Sequence, residues 1–122
     1  TLFVGGCGRV FTRSPETMWS SLQLLAALPP ETLVYCGHDY SLEDYEFART
    51  VEPDNLAVKA RLEEIRGLVE SGRMTVPSTI AQELETNPFL RASSAEMKAA
   101  LKMPEASDVE AFAALRRIKD RF

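Results

Sequence analysis

The sequence has few of the residues that most catalytic and metal chemistry requires: one histidine and two cysteines in 122 residues. A zinc site needs three or four ligands, and neither a second histidine nor a Cys-x-x-Cys spacing is present to supply them. Cys7 and Cys36 each lie at a glycine-containing strand end rather than in a spaced disulfide framework, which favours a reducing, cytoplasmic setting. Any role for an imidazole therefore falls to His38.

The sequence also lacks an excess of basic charge, a membrane-spanning run and a signal peptide, which argues against nucleic acid and membranes as partners. Acidic residues outnumber basic ones, 18 to 14, and the formal net charge is -4. Nucleic acid is not expected as the main partner, because phosphate binding requires a basic face. No apolar run has the length of a membrane span, and no signal-peptide pattern is present. We therefore expect a cytoplasmic protein that does not enter a membrane.

Two short apolar runs predict buried strands. Residues 2–4 form a run that stops at Gly5, and residues 32–36 form a second that stops at Gly37. Two strands cannot cover their own faces or edges, so they imply a larger sheet whose other strands lie outside this sequence. Because the chain also opens on Thr1 at the start of such a strand, we expect it to be part of a larger protein.

The rest of the pattern is helical. One helix is predicted from about Pro15 to Leu28, between the two strands, and the chain after residue 40 is predicted to hold about five more. Capping residues mark the predicted starts: Ser14, Ser41, Asn55, Thr79, Ser93 and Ser107. Two apolar faces are predicted at helical spacing. The first comprises Met18, Leu22, Leu25 and Leu28, and the second comprises Val58, Leu62, Ile65 and Val69.

Polar residues follow both predicted strands. Arg9 comes after the first and His38 after the second, and neighbouring strands of an α/β sheet would bring both to one edge. Near the end of the sequence, Arg116 and Lys119 are three residues apart on a helix and could hold a carboxylate together. The same pair also suits a solvated last turn. His38 could equally be a structural loop residue, and a Cys36–His38 nucleophilic pair is disfavoured because the spacing does not give a dyad geometry.

Six segments, in this order and across the whole sequence, resemble glyoxalase II, the hydroxyacylglutathione hydrolases of the metallo-β-lactamase superfamily. They are Thr1–Arg9, Thr32–Tyr40, Phe47–Ala48 with Val51–Asn55, Thr75–Thr79, Asn87–Arg91 and Arg116–Asp120. The resemblance implies an α/β fold: the C-terminal βαβ part of a metallo-β-lactamase αββα sandwich over residues 1–40, then an all-helical glutathione-binding domain over residues 41–122.

The resemblance also implies a chemistry. Family members hold two divalent metal ions, commonly zinc, iron or manganese, whose bridging hydroxide hydrolyses S-D-lactoylglutathione to D-lactate and glutathione. His38 matches the last metal ligand. The substrate-binding positions match Arg9, Phe11, His38, Tyr40, Arg116 and Lys119. The other metal ligands belong to an N-terminal half that this sequence lacks, so catalysis by this chain alone is not expected.

Three positions depart from the family pattern. Asp39 stands where the family often has Glu, Arg9 replaces a Lys seen in some members, and Phe11 replaces a Tyr and would lose a hydrogen bond to the tripeptide. Two alternatives from other classes are a non-catalytic module that binds glutathione conjugates and a helical interaction domain in which His38 is structural.

Overall fold

The computed structural model describes residues 1–10 and 14–122, and this part of the chain is mostly helical with two small sheets. In chain order its elements are β1 (Leu2–Phe3), β2 (Gly6–Cys7), α1 (Pro15–Ala26), β3 (Leu33–Val34), α2 (Ser41–Val51), α3 (Leu56–Glu70), β4 (Ser78–Thr79), α4 (Ile80–Thr86), a 3-10 helix (Leu90–Ser93), α5 (Ala95–Ala100) and α6 (Asp108–Asp120).

The first sheet is an antiparallel hairpin of β1 and β2. The predicted strand over residues 2–4 is confirmed in shortened form, as Leu2–Phe3, and it stops at a tight turn as expected. The antiparallel partner that begins at Gly6 was not predicted. Gly5 has a φ of +78°, and a Cβ there would lie 2.7 Å from the ring of Tyr45. A Cβ on Gly6 would lie 2.5 Å from Oδ2 of Asp44. The two glycines thus allow the turn and let the hairpin press against α2.

The second sheet pairs β3 with β4, antiparallel, with Val34 opposite Ser78. The predicted strand over residues 32–36 is shorter than expected, and Tyr35 beyond its end is 71% exposed. The β4 partner was not predicted, because Thr79 carries a helix-cap signal and also pairs in the sheet. β1 and β3 lie in different sheets, so the expected parallel neighbours do not form within the described chain.

Side-chain caps define most of the helix starts. Four predicted caps are confirmed, each accepting a backbone N–H of the first turn: Ser14, Asn55, Thr79 and Ser107. Two predictions are wrong. α5 is capped by Ser94 rather than Ser93, and α2 begins at Ser41 without a cap from that side chain. Among the described residues, no helix is long and apolar enough to cross a membrane.

Two hydrophobic clusters hold the helices together. The larger packs α1, the 3-10 helix, α5 and α6 around Leu22 and Phe112. The smaller packs the hairpin turn, α2 and α3 around Tyr45 and Ile65. Leu28 and Val69, predicted to lie on buried faces, are 42% and 46% exposed, because Leu28 follows the end of α1 and Val69 lies in the last turn of α3. The larger cluster holds α6 against the hairpin, next to the start of α2.

Candidate functional site between the hairpin and helix α6

A cavity of about 490 Å³ opens between the hairpin, the segment before α2 and the last turns of α6. Its volume falls in the range of small-molecule sites. The lining residues are Phe3, Cys7, Gly8, Arg9, His38, Tyr40, Glu43, Asp44, Arg116 and Lys119. Five of the six residues predicted to bind substrate are therefore brought together around one cavity. The sixth, Phe11, lies outside the described residues.

One wall of the cavity is aromatic. The exposed imidazole of His38 stacks on the ring of Tyr40, with centroids 5.3 Å apart and planes 6° apart. Tyr40 in turn meets the edge of Phe3, with centroids 5.2 Å apart. Tyr40 and Phe3 thus pack against the imidazole, while His38 as a whole stays exposed.

The backbone around His38 is anchored on both sides. The carboxylate of Asp39 accepts hydrogen bonds from the hydroxyl of Thr75 at 2.6 Å and from the backbone N–H of Ser41 at 3.1 Å. Partial burial acts to raise the pKa of Asp39, but these hydrogen bonds outweigh it, and the pKa lies below its ordinary value. On the other side, the thiol of Cys36 donates to the carbonyl of His38 at 3.1 Å. The loop is therefore pre-organised by hydrogen bonds.

Arg116 links α6 to the hairpin as well as lining the cavity. It is 7% exposed; its Nε donates to Asp120 at 2.9 Å, and its Nη1 donates to the carbonyl of Cys7 at 2.7 Å. Its guanidinium lies 5.0 Å from the ring centroid of Phe89. Nε and Nη1 of Arg116 thus donate hydrogen bonds, whereas its Nη2 has no hydrogen-bond partner among residues 1–10 and 14–122. Arg9 is largely exposed, and its Nε lies 3.8 Å from Oδ1 of Asp120. Arg9, Arg116 and Lys119 are together called the cationic end of the cavity.

The two cysteines do not form a nucleophilic site. Burial raises the pKa of the Cys7 thiol to about 11, against the opposing effect of Arg116, so the thiol stays protonated near neutral pH. The thiol of Cys36 donates its hydrogen bond to the backbone carbonyl of His38 rather than to the imidazole of that residue. The geometry agrees with the expectation that no cysteine–histidine dyad forms.

Lys119 also lines the cavity, and its side chain is only 10% exposed. Its Nζ is 2.9 Å from Oε1 of Glu43 and 3.6 Å from Oδ1 of Asp44. It also lies 5.9 Å and 5.7 Å from the ring centroids of Phe47 and Phe122. The sequence predicted the cation but not the two carboxylates beside it.

Asp44 is a buried carboxyl group in the lining of this cavity. Burial raises its pKa to about 7, and the nearby positive charge of Lys119 opposes that rise. A carboxyl whose pKa is higher in the folded state binds more protons when folded. Its contribution to stability is therefore complete at acidic pH, declines above the unfolded pKa, and is lost once the pH passes about 7.

Replacing Asp44 with Asn removes this titration. The free energy of unfolding of the wild type is expected to fall, relative to that of Asp44→Asn, by about 1–3 kcal/mol between about pH 4 and about pH 8. Urea denaturation of both proteins at several pH values measures this difference. Glu46→Gln, on the same helix, is the charge-matched control. Parallel pH profiles for wild type and Asp44→Asn would contradict the assignment.

His38 supplies a single imidazole to the cavity. Within the described ranges, no group of three histidine, cysteine, aspartate or glutamate side chains is arranged to hold a metal ion. The exposed, stacked imidazole has the chemistry and accessibility of one metal ligand. Any metal centre built on it would need ligands from another part of the protein.

The fold and the cavity define a mostly helical domain with one cavity lined by both an imidazole and cationic side chains. Residues 39–122 match the family described as hydroxyacylglutathione hydrolase C-terminus, and the chain belongs to that family.

Curated relatives carry the name hydroxyacylglutathione hydrolase. The protein from Methylococcus capsulatus is 50% identical over all 122 residues, which cover 48% of its own length. Those from Rhizobium etli and Cereibacter sphaeroides are 50% and 48% identical over the same span, again 48% of each relative. The chain thus spans about half the length of the curated relatives it matches.

Proposed function

We propose that this chain is the glutathione-binding part of a hydroxyacylglutathione hydrolase, which hydrolyses S-D-lactoylglutathione to D-lactate and glutathione. In the reaction, the thioester C–S bond breaks, the oxygen of water joins the acyl carbon, and the sulfur leaves as the thiol of glutathione. The proposal rests on one observation: His38 lines the same cavity as Arg116 and Lys119. Family membership and the name of the relatives support the substrate class.

The cavity suits a ligand with a thioester at one end and a carboxylate at the other. Glutathione ends in a glycine carboxylate, and Lys119 with the available nitrogen of Arg116 would bind it through charge-assisted hydrogen bonds. Tyr40 would pack against the tripeptide, and Arg9 would add positive charge at the rim. Phe11 remains a predicted contact. Together these side chains would orient the thioester toward His38.

In the complete protein, His38 would be one ligand of a centre of two divalent metal ions, commonly zinc, iron or manganese. Bound metal would polarise the thioester carbonyl and lower the pKa of water. The stacking on Tyr40 and the anchors at Asp39 and Cys36 would hold the imidazole in place for this role. We propose that residues 1–40 belong with an N-terminal metallo-β-lactamase part and that residues 41–122 form the helical binding domain.

Replacing Lys119 with Ala tests the binding role. In the complete protein, the KM for S-D-lactoylglutathione is expected to rise about tenfold or more, because a charge-assisted hydrogen bond to the substrate carboxylate is lost. The effect on kcat should be smaller, since the contact is remote from the thioester. Steady-state kinetics separates the two constants.

Arg117→Ala is the matched control, because Arg117 is an exposed cation on the same turn of α6. Its KM should stay close to that of the wild type. Equal kinetics in the two variants would refute the binding role of Lys119. Binding of glutathione without any turnover by the complete protein would instead favour a non-catalytic module for glutathione conjugates.

A further inference from the structure

Lys119 contacts two carboxylates that differ in their surroundings. Its Nζ lies 2.9 Å from Oε1 of Glu43, whose side chain is 61% exposed. It lies 3.6 Å from Oδ1 of Asp44, whose side chain is 8% exposed. All three side chains line the cavity proposed to bind glutathione. The ammonium group that would bind the substrate carboxylate therefore already has a partner on the cavity side.

The two carboxylates are not equally replaceable. Asp44 is fixed by packing, because its carboxylate lies against the hairpin so closely that a Cβ on Gly6 would come within 2.5 Å of it. Within the described residues, the carboxylate of Glu43 is hydrogen-bonded only to Lys119, and because its side chain is largely exposed it can turn toward solvent without breaking buried packing. Only Glu43 can leave Lys119 without rearranging the fold.

The surroundings of Lys119 would keep its ammonium in place after Glu43 departs. The rings of Phe47 and Phe122 lie within cation–π distance of Nζ. The side chain is 10% exposed, so it has little freedom to follow Glu43 outward. An arriving carboxylate would therefore meet a preformed cationic position rather than a mobile lysine.

We propose that Glu43 occupies the ligand-carboxylate position of Lys119 in the free protein and is displaced when substrate binds. This inference rests on the proposed function. Glu43 acts as a specificity-determining residue: a ligand must bring its own carboxylate to replace the one that leaves. A tripeptide whose glycine carboxylate is converted to an amide cannot make this exchange, and it leaves the Glu43–Lys119 pair intact.

Calorimetric titration of the complete protein with glutathione, and with glutathione whose glycine carboxylate is an amide, tests the exchange. Glu43→Gln should bind glutathione about three- to tenfold more tightly than the wild type, because the internal competitor is gone. The amide analogue should bind wild type and Glu43→Gln equally. Glu46→Gln is the matched control: it removes the same charge from the same helix, at a side chain that does not line the cavity proposed to bind glutathione.

Three outcomes would overturn the inference. Equal tightening in Glu43→Gln and Glu46→Gln would show a general charge effect. Weaker glutathione binding in Glu43→Gln would show that Glu43 assists the ligand. In both cases glutathione binds and the proposed function stands. If neither the wild type nor any variant binds glutathione, the proposed function is overturned together with the inference.

Discussion

The complete protein carrying His38→Ala is expected to lose at least about 100-fold in kcat for S-D-lactoylglutathione hydrolysis and to retain less bound metal. The reason is positional. His38 presents an exposed imidazole to the cavity, and its backbone is anchored through Asp39 and Cys36. Truncation removes the proposed metal ligand without disturbing buried packing, because His38 is exposed. Steady-state kinetics and elemental analysis of the purified protein measure the two effects.

A comparison with Lys119→Ala separates the two ends of the cavity. His38→Ala should bind glutathione nearly as well as the wild type, because the cationic end is intact, whereas Lys119→Ala should keep its metal content and lose affinity. Unchanged kcat and metal content in His38→Ala would refute the role of this imidazole as a metal ligand.

Glu83→Ala is expected to lower the free energy of unfolding by about 3–5 kcal/mol. Glu83 is fully buried and accepts three hydrogen bonds: from the backbone N–H of Gly5 at 2.9 Å, from Asn87 at 2.9 Å and from the hydroxyl of Ser78 at 2.7 Å. Burial raises the pKa of Glu83, and these three donors act against that rise. Truncation takes the acceptor from the buried N–H of Gly5 and from the hydroxyl of Ser78, removes one of the hydrogen bonds of Asn87, and leaves a cavity.

Glu85→Ala is the control for Glu83→Ala, because Glu85 lies on the same helix and is exposed. It should change the free energy of unfolding by no more than about 0.5 kcal/mol. Urea denaturation followed by circular dichroism measures both variants. Glu83→Gln should restore part of the loss, since its amide oxygen can still accept hydrogen bonds. A cost of less than about 1 kcal/mol for Glu83→Ala would show that the network contributes little.

This network also positions the cavity. Asn87, held by Glu83, donates to the carbonyl of Gly6 at 3.0 Å and thereby holds the hairpin that supplies Phe3 and Cys7 to the lining. Glu83→Ala should therefore weaken glutathione binding as well as stability, although it lies outside the cavity lining.

Local signals predicted much of the helical structure. Asn55 and Ser107 were identified as caps because the cap geometry depends on residues within one helical turn. The start of α5 was placed one residue early because Ser93 has Glu96 three residues after it, the capping-box spacing, whereas the 3-10 helix takes up Ser93 and Ser94 caps α5 without that spacing. The pairing of β3 with β4 joins segments more than 40 residues apart, which no local pattern indicates.

The part of the site whose residues are close in sequence was predicted, and the part that depends on contacts between distant segments was not. Arg116 and Lys119 lie three apart on α6, and that spacing correctly places them on one face, which lines the cavity. Glu43 was missed. It follows Tyr40 by three residues, so helical spacing could have placed it on the same face as a predicted site residue. Its pairing with Lys119 across 76 residues depends on the packing of α6 against α2 and could not be predicted.

The most direct test of the account is the position of glutathione in a crystal structure of the complete protein. The account predicts a glycine carboxylate about 3 Å from Nζ of Lys119, with Glu43 turned away and the sulfur directed toward His38. Glutathione bound elsewhere, for example beside Glu52 and Arg91 in the cavity between α2 and α5, with Lys119 still paired to Glu43, would contradict it.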